Sequence, residues 1–207
     1  MVKQTGGKFN AITTIEEAKR VWKPIFEKYN LTKRGLIGEG FEFDGSAYDN
    51  FIRQGAQDHI CRDPELREFL LALPQESRKV IFTNAPESSA REILQILGVD
   101  DLFEIVLGGA EFLGDAICKP EREAFHKVLE YLGILEDCTD RICFFEDSFM
   151  NLRVGKELGF TTVFVKSSTV KDIGRSSEEL AQFDVVVEGK VGMELKALLP
   201  DLFTPPI

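Results

Sequence analysis

Short apolar runs alternate with amphipathic stretches over the second two thirds of the chain. Runs that predict strands occupy residues 79–83, 103–107, 141–145, 161–165 and 185–187. Between them, apolar residues recur at the i, i+3, i+4 spacing of a helix, as at Ala90, Ile93, Leu94 and Leu97. Near-continuous apolar strands separated by helices are typical of a parallel sheet covered on both faces, so the pattern predicts an α/β fold.

The beginning of the chain carries helical patterns without a strand. Apolar residues recur at helical spacing from Ile15 to Tyr29, and Thr14 with Glu17 fits a capping box at the start of this helix. Pro24 lies inside the pattern and predicts a kink or a split. A second helix is predicted over residues 46–56. We therefore predict two domains, a small helical unit over 1–62 and an α/β core over 63–207, which begins with a helix capped by Asp63 and Pro64.

Composition narrows the classes of partner. The net charge of −10, from 25 basic and 35 acidic residues, repels phosphate backbones and anionic lipids, so neither nucleic acid nor a membrane is an expected partner. No apolar run reaches the length of a membrane span, and the first ten residues lack a signal-peptide core. Four cysteines without CxxC spacing are typical of reduced thiols, which favours a cytoplasmic protein.

Polar residues follow the predicted strands, where ligands bind in open parallel sheets. Thr83 and Asn84 end the first strand, where they could hold an anion or simply cap a helix. Lys119 precedes a helix start, a position that a bound phosphate would explain and that an exposed loop lysine would also fit. Glu146 and Asp147 end the third strand. Adjacent carboxylates there favour a cation such as Mg²⁺, although a solvated turn is the alternative.

These motifs resemble those of the haloacid dehalogenase superfamily of phosphohydrolases. Residues 81–84 (IFTN) look like its second motif, Lys119-Pro120 like its third, and residues 144–148 (FFEDS) with Asn151 like its fourth. Residues 155–162 (GKELGFTT) are similar to the segment that comes after the fourth motif in that family.

Within the superfamily the chain most resembles the pyrimidine 5'-nucleotidase branch, which carries a helical cap after the first motif. Residues 1–62 match most of that cap. The resemblance implies a Rossmann-like core with a helical cap.

The resemblance also implies an activity, which is magnesium-dependent hydrolysis of a small phosphorylated metabolite such as a nucleoside 5'-monophosphate. In it, Thr83 and Lys119 would be catalytic and, with Asn84, would hold the phosphoryl group.

The same resemblance implies a metal site. Glu146 and Asp147 would bind Mg²⁺, with Asn151 in support.

The first motif of the family, an apolar strand ending in Asp-x-Asp-x-Thr, is not found. Residues 1–13 contain no apolar run and no aspartate, and residues 41–46 (FEFDGS) follow a segment too rich in glycine and charge for a central strand. We therefore expect that the first core strand is absent and that the chain is short by about 15–25 residues at usual strand and loop lengths.

Without that strand and its aspartate nucleophile, we expect the chain as given to be poorly stable and inactive. The alternative to an enzyme is a truncated isoform or pseudoenzyme with a binding role only. An unrelated doubly wound domain, such as a receiver, fits less well because receivers carry their acidic pair after the first strand.

Overall fold

The computed structural model describes residues 12–114, 116–166 and 176–205. The helices are α1 (Ile15–Tyr29), α2 (Thr32–Gly38), α3 (Gly45–Arg53), α4 (Pro64–Ala72), α5 (Glu87–Leu97), α6 (Gly109–Leu113), α7 (Arg122–Leu132), α8 (Phe149–Glu157), α9 (Ser177–Leu180) and α10 (Leu195–Leu198). The strands are β1 (Val80–Thr83), β2 (Ile105–Gly108), β3 (Cys143–Glu146), β4 (Thr161–Lys166) and β5 (Val185–Glu188).

All the strand pairs are parallel, which confirms the predicted α/β fold. β1 pairs with β2, with Val80 opposite Ile105, and β3, β4 and β5 form a second sheet in that order. Within the described residues, no ladder of hydrogen bonds connects the two sheets. Both β1 and β3 are partly buried along their whole length, whereas Val106 of β2 and Val163 of β4 are almost fully enclosed.

Helix side chains on both faces join the two sheets into one core. On one face, the Phe125 ring of α7 packs edge-on against Phe82 of β1 and Phe144 of β3. On the other face, Phe69 of α4 packs against Phe145 and belongs to a cluster that includes Val106 and Val163. The ends of β1 and β3 are therefore held near each other by packing.

The helical unit has its own apolar cluster, centred on Ile25, Leu36 and Phe41. The predicted capping box is confirmed, because Thr14 and Glu17 bond each other's backbone at the start of α1. Pro24 does not split α1, which runs without interruption to Tyr29, so that alternative is wrong; a kink at Pro24 stays a prediction.

Residues 41–46, the segment that resembles a first motif, contain no strand: Asp44 is the N-cap of α3, and residues 45–46 are its first two residues. The Asp44 carboxylate accepts hydrogen bonds from the backbone N–H groups of Ser46 and Ala47 at 2.9 and 3.0 Å. The rejection of this segment as a catalytic strand is thereby supported.

The core begins as the sequence predicts. Asp63 caps α4 by accepting a hydrogen bond from the Leu66 N–H at 3.0 Å, and Pro64 is its first residue. No helix in the described part of the chain is both long and apolar enough to cross a membrane. The division into 1–62 and 63–207 stays a prediction.

Asp184 stabilises the pairing of β4 with β5. Its Oδ2 accepts hydrogen bonds from the backbone N–H and the hydroxyl of Thr162, at 2.8 and 2.7 Å, and Thr162 is fully buried. We expect Asp184→Ala to lower the free energy of unfolding by about 1–3 kcal/mol, because it leaves buried polar groups without partners. Denaturant unfolding measures this loss. Asp201→Ala, on the exposed face, is the control and should change stability little.

The contribution of Asp184 should also depend on pH. Burial would raise the pKa of its carboxyl, but hydrogen bonds from Lys156 and Thr162 outweigh burial and hold the pKa below the ordinary 3.8. A lowered pKa in the folded state stabilises the fold above pH 3.8, and this contribution is lost as the pH falls through the lowered value. The stability difference between wild type and Asp184→Ala should therefore shrink in acid. A difference that grows in acid would contradict this assignment.

Candidate active site

Lys119 lies where the carboxyl ends of β1 and β3 meet. Lys119 is 7% exposed. Its ammonium donates hydrogen bonds to the Phe82 carbonyl oxygen at 2.8 Å and to Glu146 Oε2 at 2.6 Å. Phe82 belongs to β1 and Glu146 to β3. A single side chain therefore links the two sheets by polar contacts, in addition to the packing described above.

The surroundings of the Lys119 ammonium are largely apolar. Its nitrogen lies 4.9 Å from the centroid of the Phe82 ring and 5.6 Å from that of Phe144. A buried ammonium is costly unless it is paired, and the Glu146 carboxylate supplies the pair. An ammonium has three hydrogens. Two are given to Phe82 and Glu146, and among the described residues the third has no hydrogen-bond acceptor.

Glu146 accepts hydrogen bonds on both carboxylate oxygens. Oε1 accepts from the backbone N–H groups of Asp147 and Ser148, each at 3.1 Å, and Oε2 accepts from Lys119 and from the Asn151 amide at 3.0 Å. Burial would raise the pKa of Glu146. The Lys119 charge and these hydrogen bonds outweigh it, so the pKa lies below the ordinary value and the group is a carboxylate.

Asn84 holds the main chain of Lys119. Its amide nitrogen donates to the Lys119 carbonyl oxygen at 3.0 Å, and its amide oxygen accepts from the Lys119 N–H at 2.9 Å. The nitrogen and the oxygen of the Asn84 amide thus both bond the main chain of Lys119. The sequence predicts that Asn84 binds the phosphoryl group, and this stays a prediction; in the structure its side chain holds the main chain of Lys119.

Thr83 ends β1 beside this pair of residues. Its hydroxyl oxygen accepts a hydrogen bond from the Ala85 N–H at 3.0 Å, which forms a short turn after the strand. Because a hydroxyl can accept and donate together, its hydrogen stays available to an anion.

Asp147 and Asn151 complete the set of predicted residues. Asp147 is exposed, while Asn151 is buried in the first turn of α8 and contacts Glu146. Among the described residues, no group of three or more His, Cys, Asp or Glu side chains is gathered as a metal site would need. Mg²⁺ in proteins usually keeps several waters and is held by one or two carboxylates, so Glu146 and Asp147 stay its predicted ligands.

Two residues near Lys119, Arg34 and Glu121, were not identified as candidates from the sequence. Arg34 of α2 contacts Cys118 and Glu121, which flank Lys119 in the chain. Arg34 and Glu121 are separated by 87 positions, and no local pattern connects residues so far apart.

The chain belongs to the haloacid dehalogenase-like hydrolase family, whose family model matches residues 10–159. It is 26% identical over 179 residues to phosphate metabolism protein 8 of Saccharomyces cerevisiae, in an alignment that covers 82% of this chain and 54% of the yeast protein. The chain thus spans about half the length of this curated relative.

Solved structures share the fold. A HAD phosphatase from Thermococcus onnurineus superposes with a TM-score of 0.60 at 18% identity, covering 93% of this chain and 83% of that one. A β-phosphoglucomutase from Clostridium difficile gives a TM-score of 0.54 at 16% identity, covering 93% and 79% of the two chains. These two likenesses show the fold alone.

Proposed function

We propose that this chain carries the phosphate-binding part of a magnesium-dependent phosphomonoesterase site. The substrate class is a small phosphorylated metabolite, and a nucleoside 5'-monophosphate is the member that the resemblance favours. One observation carries the proposal. At the carboxyl ends of β1 and β3, a buried ammonium is paired by Glu146 and gives only two of its three hydrogens to described residues.

Lys119 and Thr83 would bind the phosphoryl oxygens. Glu146 pairs with the Lys119 ammonium and fixes its direction by a hydrogen bond. The aromatic rings beside the ammonium make its surroundings less polar, which strengthens its attraction for an anion. Such a donor stabilises charge that develops on the phosphoryl oxygens in the transition state. The Thr83 hydroxyl would donate a second hydrogen bond.

Magnesium dependence comes from the family resemblance. Mg²⁺, when bound in such a site, neutralises phosphoryl charge. Asp147, which is exposed, and Glu146 are the candidate ligands that the resemblance implies.

The nucleophile is expected outside these 207 residues, because no part of the sequence fits the first motif of the family. Hydrolysis by the whole protein is thus part of the proposal. So is a cytoplasmic location, which the four free thiols favour. A binding role without hydrolysis stays the alternative.

Binding of uridine 5'-monophosphate in the presence of Mg²⁺, measured by calorimetry, tests the proposal. We expect the nucleotide to bind and uridine to bind far more weakly. Thr83→Val should weaken binding about tenfold, since a hydrogen bond to a charged group is worth about 1.5–3 kcal/mol. Thr83→Ser, which keeps the hydroxyl, should retain it.

Arg78→Gln is the control variant, because Arg78 pairs with Glu104 and is not among the site residues. Equal affinities for uridine and its monophosphate would refute the proposal. Phosphate release by the whole protein, measured in parallel, separates the two roles: turnover supports an enzyme, and binding without turnover supports the alternative.

A further inference from the structure

Arg34 connects the helical unit to the loop that carries Lys119. Its guanidinium donates hydrogen bonds to the Cys118 sulfur at 3.2 Å and to Glu121 Oε1. The other oxygen of Glu121 accepts a hydrogen bond from the Cys118 N–H at 3.3 Å. Arg34, Cys118 and Glu121 thus form a closed cluster that spans the two parts of the chain.

The cluster flanks Lys119 on both sides. Cys118 precedes the lysine and Glu121 comes two positions after it, while Asn84 holds the lysine's own N–H and carbonyl. Asn84, which directly follows β1, and Arg34 of α2 therefore both hold the loop that carries Lys119. Any shift of α2 relative to the core would pull on the residues next to the catalytic candidate.

The helical unit can move as one piece. Its apolar cluster consists of residues from its own helices and their connections, around Ile25, Leu36 and Phe41. Elements with their own packed core tend to shift as rigid bodies about the contacts that join them. A charge-assisted hydrogen bond such as that of Arg34 is a strong contact of this kind.

We propose that Arg34 is a positioning residue that fastens the helical unit to the Cys118–Glu121 loop, so that the placement of the unit sets the position of Lys119. The fastening is inferred from the contacts of Arg34 with Cys118 and Glu121, without reference to any ligand. Its consequence for a substrate rests on the proposed function.

Cys118 supplies a test that needs no activity. Cys118 is 3% exposed and accepts the Arg34 hydrogen bond. Cys143 lies in β3, packs against the cluster that includes Val106 and Val163, and serves as the internal reference. Alkylation of the folded full chain by iodoacetamide, followed by peptide mass spectrometry, measures both thiols in one molecule. In Arg34→Gln we expect Cys118 to react about tenfold faster, because labelling of a buried group follows its local opening.

Whether the alkylation rate of Cys118 rises or falls distinguishes exposure of the thiol from a change in its pKa. Burial raises the pKa of the Cys118 thiol, and the Arg34 hydrogen bond lowers it. Loss of Arg34 without movement would raise the pKa further, leave less of the reactive thiolate and slow alkylation. Faster alkylation therefore reports exposure.

Two further variants complete the design. Arg34→Lys keeps a cation and should give an intermediate rate. Arg78→Gln removes an exposed ion pair that lies within the α/β part of the chain and should leave the Cys118 rate unchanged. An unchanged or slower Cys118 rate in Arg34→Gln would overturn the fastening. A matching rise at Cys143 would also overturn it, because it would mean general loosening of the fold.

Binding of uridine 5'-monophosphate tests the coupling to Lys119. We expect weaker binding in Arg34→Gln and partial recovery in Arg34→Lys. Unchanged binding in a variant with an exposed Cys118 would overturn the coupling and leave the fastening in place. If wild type does not bind the nucleotide, the proposed function fails and, with it, the coupling, whereas the Cys118 rates still decide the fastening.

Discussion

Lys119→Met should lower the free energy of unfolding by about 3–5 kcal/mol, the usual effect of removing one partner from a buried ion pair. The variant leaves the Glu146 carboxylate buried without its cation, and it leaves the Phe82 carbonyl without a donor. Denaturant unfolding monitored by circular dichroism measures the loss. A change below about 1 kcal/mol, the range of exposed pairs, would contradict the buried geometry.

A double-mutant cycle identifies the cause. Lys119→Met combined with Glu146→Gln contains no buried charge, so the double variant should be more stable than the sum of the two single losses predicts. Additive losses would show that the two side chains do not interact. Lys156→Met, which removes a more exposed lysine paired with Asp184, is the matched control and should cost much less.

Phe125→Ala should cost about 3–5 kcal/mol as well, as is usual when a buried phenylalanine is truncated. The ring is 2% exposed, and its centroid lies 5.4 Å from that of Phe82 and 5.8 Å from that of Phe144. It therefore packs against β1 and β3 together. Thermal and denaturant unfolding measure the loss, and Phe125→Leu, which keeps most of the volume, should lose less.

Hydrogen exchange distinguishes a general loss from a loss of contact between the sheets. Because Phe125 bridges β1 and β3, we expect the amides of these strands to lose more protection than those of β5. Tyr131→Ala, on an exposed part of the same helix, is the control and should change stability little. Equal losses of protection in β1, β3 and β5 would contradict a bridging role.

Local patterns are sufficient to predict most elements of the fold. The capping box of Thr14 and Glu17, the start of α4 at Asp63 and the strands of the core follow from side-chain periodicity and backbone chemistry. Helix α2 is missed because Gly35 and Gly38 weaken its helical pattern. Pro24 does not split α1, since packing of Ile25 against the neighbouring helix holds α1 together.

The sequence indicates which residues come together at this edge of the core better than it indicates how they contact one another. Thr83 and Glu146 end parallel strands, which explains why the sequence could place them at one edge of the core. Lys119 reaches the same edge from a loop. The role of Asn84 on the Lys119 main chain depends on the path of a loop, which no spacing encodes. The separation of the two sheets likewise depends on which strands are neighbours, and a pattern of strands does not state their order.

The pairing of Lys119 with Glu146 has a consequence for how an anion would reach this site. A paired cation acts as a dipole, whose field fades with distance faster than that of a lone charge. At long range an anionic ligand therefore meets the mean field of a chain with a net charge of −10, which repels it. Recognition begins only at contact, and added salt, by screening the repulsion, speeds the encounter instead of slowing it.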